Sequence, residues 1–80
     1  MDLRQLEYFV RAVERGTLSG AARELAVTVQ AVSKSLDRLE ATLGVPLLER
    51  NRRGVSLTVF GSTYLQHAKA ILAEAQMART

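Results

Sequence analysis

Apolar residues recur along this chain at two spacings, and the change from one to the other divides it into elements. Leu3, Leu6, Phe9, Val10 and Val13 fall on one face of a helix. Asp2 precedes them as an N-cap whose carboxylate can accept from the unpaired N–H groups of the first turn, and Gln5 completes a capping-box pattern. Gly16 is placed to end that helix. Thr17 caps a short second helix, Leu18 to Leu25, with Ala21, Ala22 and Leu25 directed inward. Two adjacent alanines permit close helix approach, while Gly20 weakens the helix by up to about 1 kcal/mol and makes it rely on tertiary packing. Ala26-Val27 is a tight turn, and Thr28 caps a third helix. There Val32, Leu36, Leu39 and Leu43 draw one apolar stripe, with Gln30, Ser33, Lys34, Asp37 and Arg38 on the other side. Gly44 ends this helix and Pro46 prevents its resumption.

Beyond Pro46 the period shortens. Leu47-Leu48-Glu49-Arg50 and Val55-Ser56-Leu57-Thr58 flank the polar loop Asn51-Arg52-Arg53-Gly54, which predicts a β-hairpin. Thr58 caps a long fourth helix from about Val59 to near the end. Phe60, Tyr64, Ala68, Ile71 and Ala75 share one of its faces, and Leu65, Leu72 and Met77 widen it. That stripe is broader than a domain of this size needs for its own core. An exposed apolar helix face marks a partner surface, and symmetric self-pairing is the simplest partner. The alternative is a helix folded back onto its own core.

Eighty residues suffice for one domain with a modest core, since so short a chain buries only about 60% of its unfolded surface. An enclosed active site beside an independent core is not expected. The absence of cysteine excludes a disulfide framework and a thiolate zinc site. Apolar runs are too short to span a membrane, and the acidic, helix-like start is unlike a signal peptide, so the expected compartment is the cytosol. The net charge of +3 is unevenly spread. Acids and bases balance up to Ala26, whereas from Arg50 onward Arg50, Arg52, Arg53, Lys69 and Arg79 face only Glu74. A concentrated basic segment on a neutral body suggests a polyanion partner, although a solvated loop has the same composition. His67 has no companion ligands at metal spacing, and Ser19, Ser33 and His67 form no nucleophile–base set. No enzyme activity, metal or cofactor is expected.

Residues 18–37 meet the needs of a helix-turn-helix: a tight turn between two short helices, with one polar face left free on the second. The short side chains at the start of the third helix let it enter a major groove about 12 Å wide. A plain amphipathic helix in a small bundle would show the same pattern. The hairpin adds guanidinium groups near a narrow tip, which suit phosphates and a narrow minor groove.

Several segments carry a family resemblance: Leu3-Arg4-Gln5-Leu6-Glu7-Tyr8-Phe9, Ala21-Ala22-Arg23-Glu24-Leu25, Leu39-Glu40, Leu43 through Arg50, and Arg53-Gly54-Val55-Ser56-Leu57-Thr58 with Gly61 shortly after. Together they resemble the N-terminal domain of LysR-type transcriptional regulators over nearly the whole chain. The resemblance implies a winged helix-turn-helix followed by a linker helix that pairs two subunits. It also implies a small-molecule effector acting only through a C-terminal domain absent here, so that the chain is expected to be part of a longer regulator. Two positions depart from the family pattern. Val29 and Gln30 stand where Gln then Pro or Ser is common, and Phe60 replaces a small residue.

The expected architecture is therefore mainly α: a winged helix-turn-helix over 1–58, with the wing at 47–58, and a linker and dimerisation helix over 59–80. The expected function is sequence-specific binding of double-stranded promoter DNA at an inverted repeat, by a homodimer on the nucleoid. Thr28, Gln30, Ala31, Ser33, Lys34, Arg38, Arg50, Arg52 and Arg53 are the expected DNA contacts, with Gln30, Ala31 and Ser33 reading bases. Phe60, Tyr64, Leu65, Ala68, Ile71, Leu72 and Ala75 are the expected dimer contacts. The rival class is a winged helix used only for protein interaction. RNA is disfavoured, because an A-form major groove excludes a helix.

Overall fold

Four capped helices and one hairpin form in the order the apolar pattern predicts. The computed structural model describes residues 1–79, so Thr80, the last residue of the expected linker segment, lies outside the described residues. The helices are α1 (Leu3–Arg15), α2 (Leu18–Leu25), α3 (Val29–Leu43) and α4 (Val59–Ala78). The strands β1 (Leu48–Asn51) and β2 (Gly54–Leu57) lie between α3 and α4. Asp2 and Gln5 make the reciprocal capping box of α1, and Thr17, Thr28 and Thr58 each accept a backbone N–H at the start of α2, α3 and α4. Phe9, Ala12, Ala21, Val32, Leu36, Leu39 and Leu47 are almost completely buried and draw α1, α2, α3 and the base of the hairpin into one core.

Two details of the chain path decide where the polar surface lies. The α2–α3 turn closes with Val27 N–H on the Ala22 carbonyl at 3.0 Å and Ala26 N–H on Arg23 at 3.4 Å. This arrangement needs a left-handed residue, and Ala26 supplies it at φ 58°, ψ 43°. Each strand is displaced one residue toward the hairpin tip from the expected runs. The Leu47 N–H is taken by the Glu40 carboxylate at 2.6 Å, and Thr58 leaves the strand to cap α4. The reversal therefore tightens to Arg52-Arg53, with Asn51 opposite Gly54.

The hairpin is welded to the helices by backbone contacts that admit no side chain. Val55 N–H donates to the Gly16 carbonyl at 2.9 Å, and Gly54, at φ 136°, passes so close that a Cβ there would lie 2.1 Å from that oxygen. On the other strand, Thr58 N–H donates to the Leu47 carbonyl at 3.0 Å. A Cβ on Gly61 would lie 2.0 Å from the same carbonyl, so the first turn of α4 abuts the chain entering β1.

The broad apolar face of α4 resolves into two stripes about a quarter turn apart, at roughly 100° per residue. Tyr64, Leu65 and Leu72 pack on the core, Ala75 is half-buried and Ala68 is completely buried. Tyr64 rests on Phe9 with ring centroids 5.8 Å apart. Partial desolvation raises the pKa of its phenol. Ala68 is thus corrected from a partner contact to a core residue, and Tyr64, Leu65 and Leu72 are largely spent within the protomer. Phe60 (52% exposed), Ile71 (40%) and Met77 (70%) remain outward. The middle of α4 packs on the same core as α1, α2 and α3.

Ala26→Gly should remove the left-handed Cβ clash and stabilise the domain by about 0.5–1 kcal/mol, after the entropy glycine loses on folding. Gly61→Ala should cost about 2–3 kcal/mol through overpacking on the Leu47 carbonyl. Thermal unfolding checks both signs, at roughly 4–8 °C per kcal/mol for a chain this size.

Candidate nucleic-acid interface

The third helix is fixed from beneath and free above. Val32, Leu36 and Leu39 are buried, whereas Gln30, Ala31, Lys34, Asp37 and Arg38 are exposed. Thr28 is exposed, and its hydroxyl oxygen accepts the Ala31 N–H at 3.0 Å, which aligns the first turn. Val29 is 38% exposed, so the side chain beside the apolar stripe still reaches the surface at the helix start. The start of α3 thus presents one amide, two small apolar groups and a cation.

The hairpin lies alongside this face, joined to it by Arg50. Its guanidinium donates to Ser33 Oγ at 2.8 Å and to Asp37 Oδ1 at 2.8 Å, and lies 3.9 Å from Glu40 Oε1. The other Glu40 oxygen accepts from Leu47 and Leu48 N–H at 2.6 and 3.1 Å. One carboxylate therefore holds the chain entering β1 and helps hold the guanidinium that leaves it. Arg50 and Ser33, both expected as DNA contacts, are paired with each other in this structure. Their polar atoms serve the joint between wing and helix. Strand alternation carries the signal for this: Arg50 lies two residues from Leu48 and shares the inward face of β1. Asp37 and Glu40, one turn apart on α3, were left without a role by composition alone.

Arg52 and Arg53 occupy the hairpin tip and are exposed, with Arg53 N–H donating to Asn51 Oδ1 at 2.9 Å to shape the turn. Arg11 pairs with Glu14 and Glu24, and Arg15 also meets Glu24, which leaves these two cations neutralised. Among the described residues Lys34, Arg38, Arg52 and Arg53 make no ion pair. Arg4, which composition alone balances against nearby acids, is also unpaired. Such cations, standing on one rigid surface, can bind a polyanion without first breaking internal pairs. No helix among the described residues is long and apolar enough to cross a membrane. No group of three metal-ligating side chains is assembled among them either.

If the Arg50 joint fixes the wing, the Arg50→Ala and Asp37→Ala double-mutant cycle should give a coupling of about 0.5–1 kcal/mol in urea unfolding at low salt. A coupling indistinguishable from zero would contradict the joint.

Comparison with known proteins places this geometry. The profile of the family described as "Bacterial regulatory helix-turn-helix protein, lysR family" matches residues 3–62. The HTH-type transcriptional regulator TcbR of Pseudomonas sp. (strain P51) is 43% identical over 72 residues, 90% of this chain and 24% of TcbR. The chain thus spans about a quarter of the length of the curated relatives it matches. Among solved structures, the crystal structure of the CbnR_DBD–DNA complex superposes with a TM-score of 0.94 at 41% identity, covering 98% of this chain and 90% of that one. The BenM_DBD/benA site 1 DNA complex gives 0.92 at 36% identity, covering 98% and 91%. The chain belongs to the LysR family of bacterial regulatory helix-turn-helix proteins.

Proposed function

We propose that this chain seats a transcription regulator on double-stranded DNA, with α3 in the major groove and the wing on the adjoining backbone. The observation that carries the reading is the free face of α3, polar and cationic, standing beside an arginine-tipped hairpin on a single rigid surface. The likeness to two proteins whose structures are described as DNA complexes supports it. Gln30 is the main base reader, because an amide can pair bidentately with adenine N6 and N7. Ala31 and Val29 suit thymine methyl groups. Lys34, Arg38, Arg52 and Arg53 contact phosphates, and Thr28 lies beside the backbone at the helix start. Arg50 and Ser33 act indirectly, by holding the wing against α3.

The DNA-bound form is a homodimer on an inverted repeat, paired through the α4 stripe of Phe60 and Ile71. Phe60 also borders an apolar groove of about 440 Å³ lined by Leu43, Val45, Val59 and Tyr64, which widens the surface for a second copy. A small-molecule effector would act through a C-terminal domain that these residues do not include, in a cytoplasmic, nucleoid-associated regulator.

Two experiments test this reading. In titrations of labelled duplexes, Arg52→Ala or Arg53→Ala should weaken specific and random sequences alike and flatten log K against log salt by about 0.9 per lost contact. Gln30→Ala should instead cost about 1–3 kcal/mol on a site selected from a random library, with relaxed preference at one base pair per half-site. A domain without salt-dependent DNA binding would sink the proposal and favour a protein-interaction module. For the dimer, Phe60→Glu with Ile71→Glu should yield a folded monomer that binds DNA far more weakly. Sedimentation showing the parent to be monomeric at high concentration would rule that pairing out.

A further inference from the structure

Helix α3 is flanked on one side by the wing. On its other side lies a cleft of about 250 Å³ between α3 and the first turn of α1, lined by Asp2, Arg4, Gln5, Lys34, Ser35 and Arg38, among others. Three of its side chains are cations, none has an ion-pair partner, and all are exposed. The contrast with the rest of α1 is informative. Arg11 and Arg15 are neutralised by Glu14 and Glu24, whereas Arg4 is left free.

The one carboxylate in the cleft does not cancel this charge. Asp2 accepts the Gln5 N–H at 2.9 Å and Gln5 returns a bond to the Asp2 N–H at 3.2 Å, so the acid is committed to capping α1. Arg4 stands on a rim shared with a second cleft toward the far end of α4, and it forms no ion pair with Glu7 there. The positions along α3 fix the geometry. At roughly 100° per residue, Ser33, Asp37 and Glu40 face the wing through Arg50, while Ala31, Ser35 and Arg38 face the cleft. Gln30 and Lys34 lie between. The base-reading edge therefore has cations on both flanks, as a helix in a groove requires, since a major groove is walled by two phosphate strands.

We propose that the α1–α3 cleft is a second phosphate-binding subsite, in which Arg4, with Lys34 and Arg38, holds the DNA backbone on the flank opposite the wing. The inference rests on the DNA-binding reading and deepens it. The wing arginines grip one strand of the groove wall and Arg4 grips the other. The capping box fixes the helical turn that carries Arg4, so its backbone is in place before DNA arrives.

The test uses the 80-residue chain and a duplex recovered with it from a random library, with neutral methylphosphonates placed one at a time along each strand. Arg4→Ala should bind about tenfold more weakly, as for loss of a charged hydrogen bond, with unchanged base preference and thermal midpoint. Its salt slope should fall by about 0.9 per phosphate released, and Arg4→Lys should restore the slope. Methylphosphonates on the flank away from the wing should weaken the parent and Arg52→Ala alike, and weaken Arg4→Ala less, because Lys34 and Arg38 remain. If Arg52→Ala flattens the salt slope and Arg4→Ala does not, the subsite is refuted while the DNA-binding reading stands. A parent chain that binds no duplex refutes both.

Discussion

A pair of four-residue strands is too small to hold its shape in water, so this surface depends on how the hairpin is tied to the helices. Three backbone ties hold it, two at its base and one near its tip. The Gly16 carbonyl accepts from Val55, the Leu47 carbonyl accepts from Thr58, and the Glu40 carboxylate accepts from Leu47 and Leu48. Each reaches a different element: the α1–α2 turn, the start of α4 and the body of α3. The carboxylate tie is charge-assisted and stronger than a neutral hydrogen bond. Arg50, opposite Val55 in the hairpin, adds a fourth tie between β1 and the polar face of α3. The wing is thereby part of the domain's rigid body, and Arg52 and Arg53 stand at a set position relative to Gln30.

This arrangement explains the distribution of charge. Acids are spent where structure needs them: Asp2 on a cap, Glu14 and Glu24 on Arg11 and Arg15, Asp37 and Glu40 on the wing joint. What remains unpaired beside α3 is positive. A net charge of only +3 can therefore coexist with a cationic face, because the acids nearest α3 and the wing base, Asp37 and Glu40, are bound within the joint.

Much of the fold was legible because its punctuation is local. Each threonine or aspartate cap, each glycine stop and the Pro46 break acts within a few residues, and stripe spacing identifies the buried face. The parts that escaped are those set by distant partners. Arg50 reads as a wing cation until Asp37, thirteen positions earlier, is brought beside it. On α4 the apolar pattern merges a core stripe with a free one, since Ala68 and Ile71 differ by what packs on them and not by type. Arg4 looks balanced by its neighbours in sequence, yet Asp2 caps α1, Glu14 and Glu24 pair with Arg11 and Arg15, and Glu7 forms no ion pair with it. The strand ends moved by one residue because Leu47 and Thr58 have bonds outside the ladder.

The central claim is that wing and recognition helix form one rigid unit before any partner binds. Amide hydrogen exchange on the free domain tests it most directly, through the N–H groups of Val55, Leu47 and Thr58. The account predicts that all three exchange only in the global opening that also releases Val32 and Leu36. Exchange of the three at the rate of an open hairpin, while α3 stays protected, would show a wing hinged to the core and contradict it.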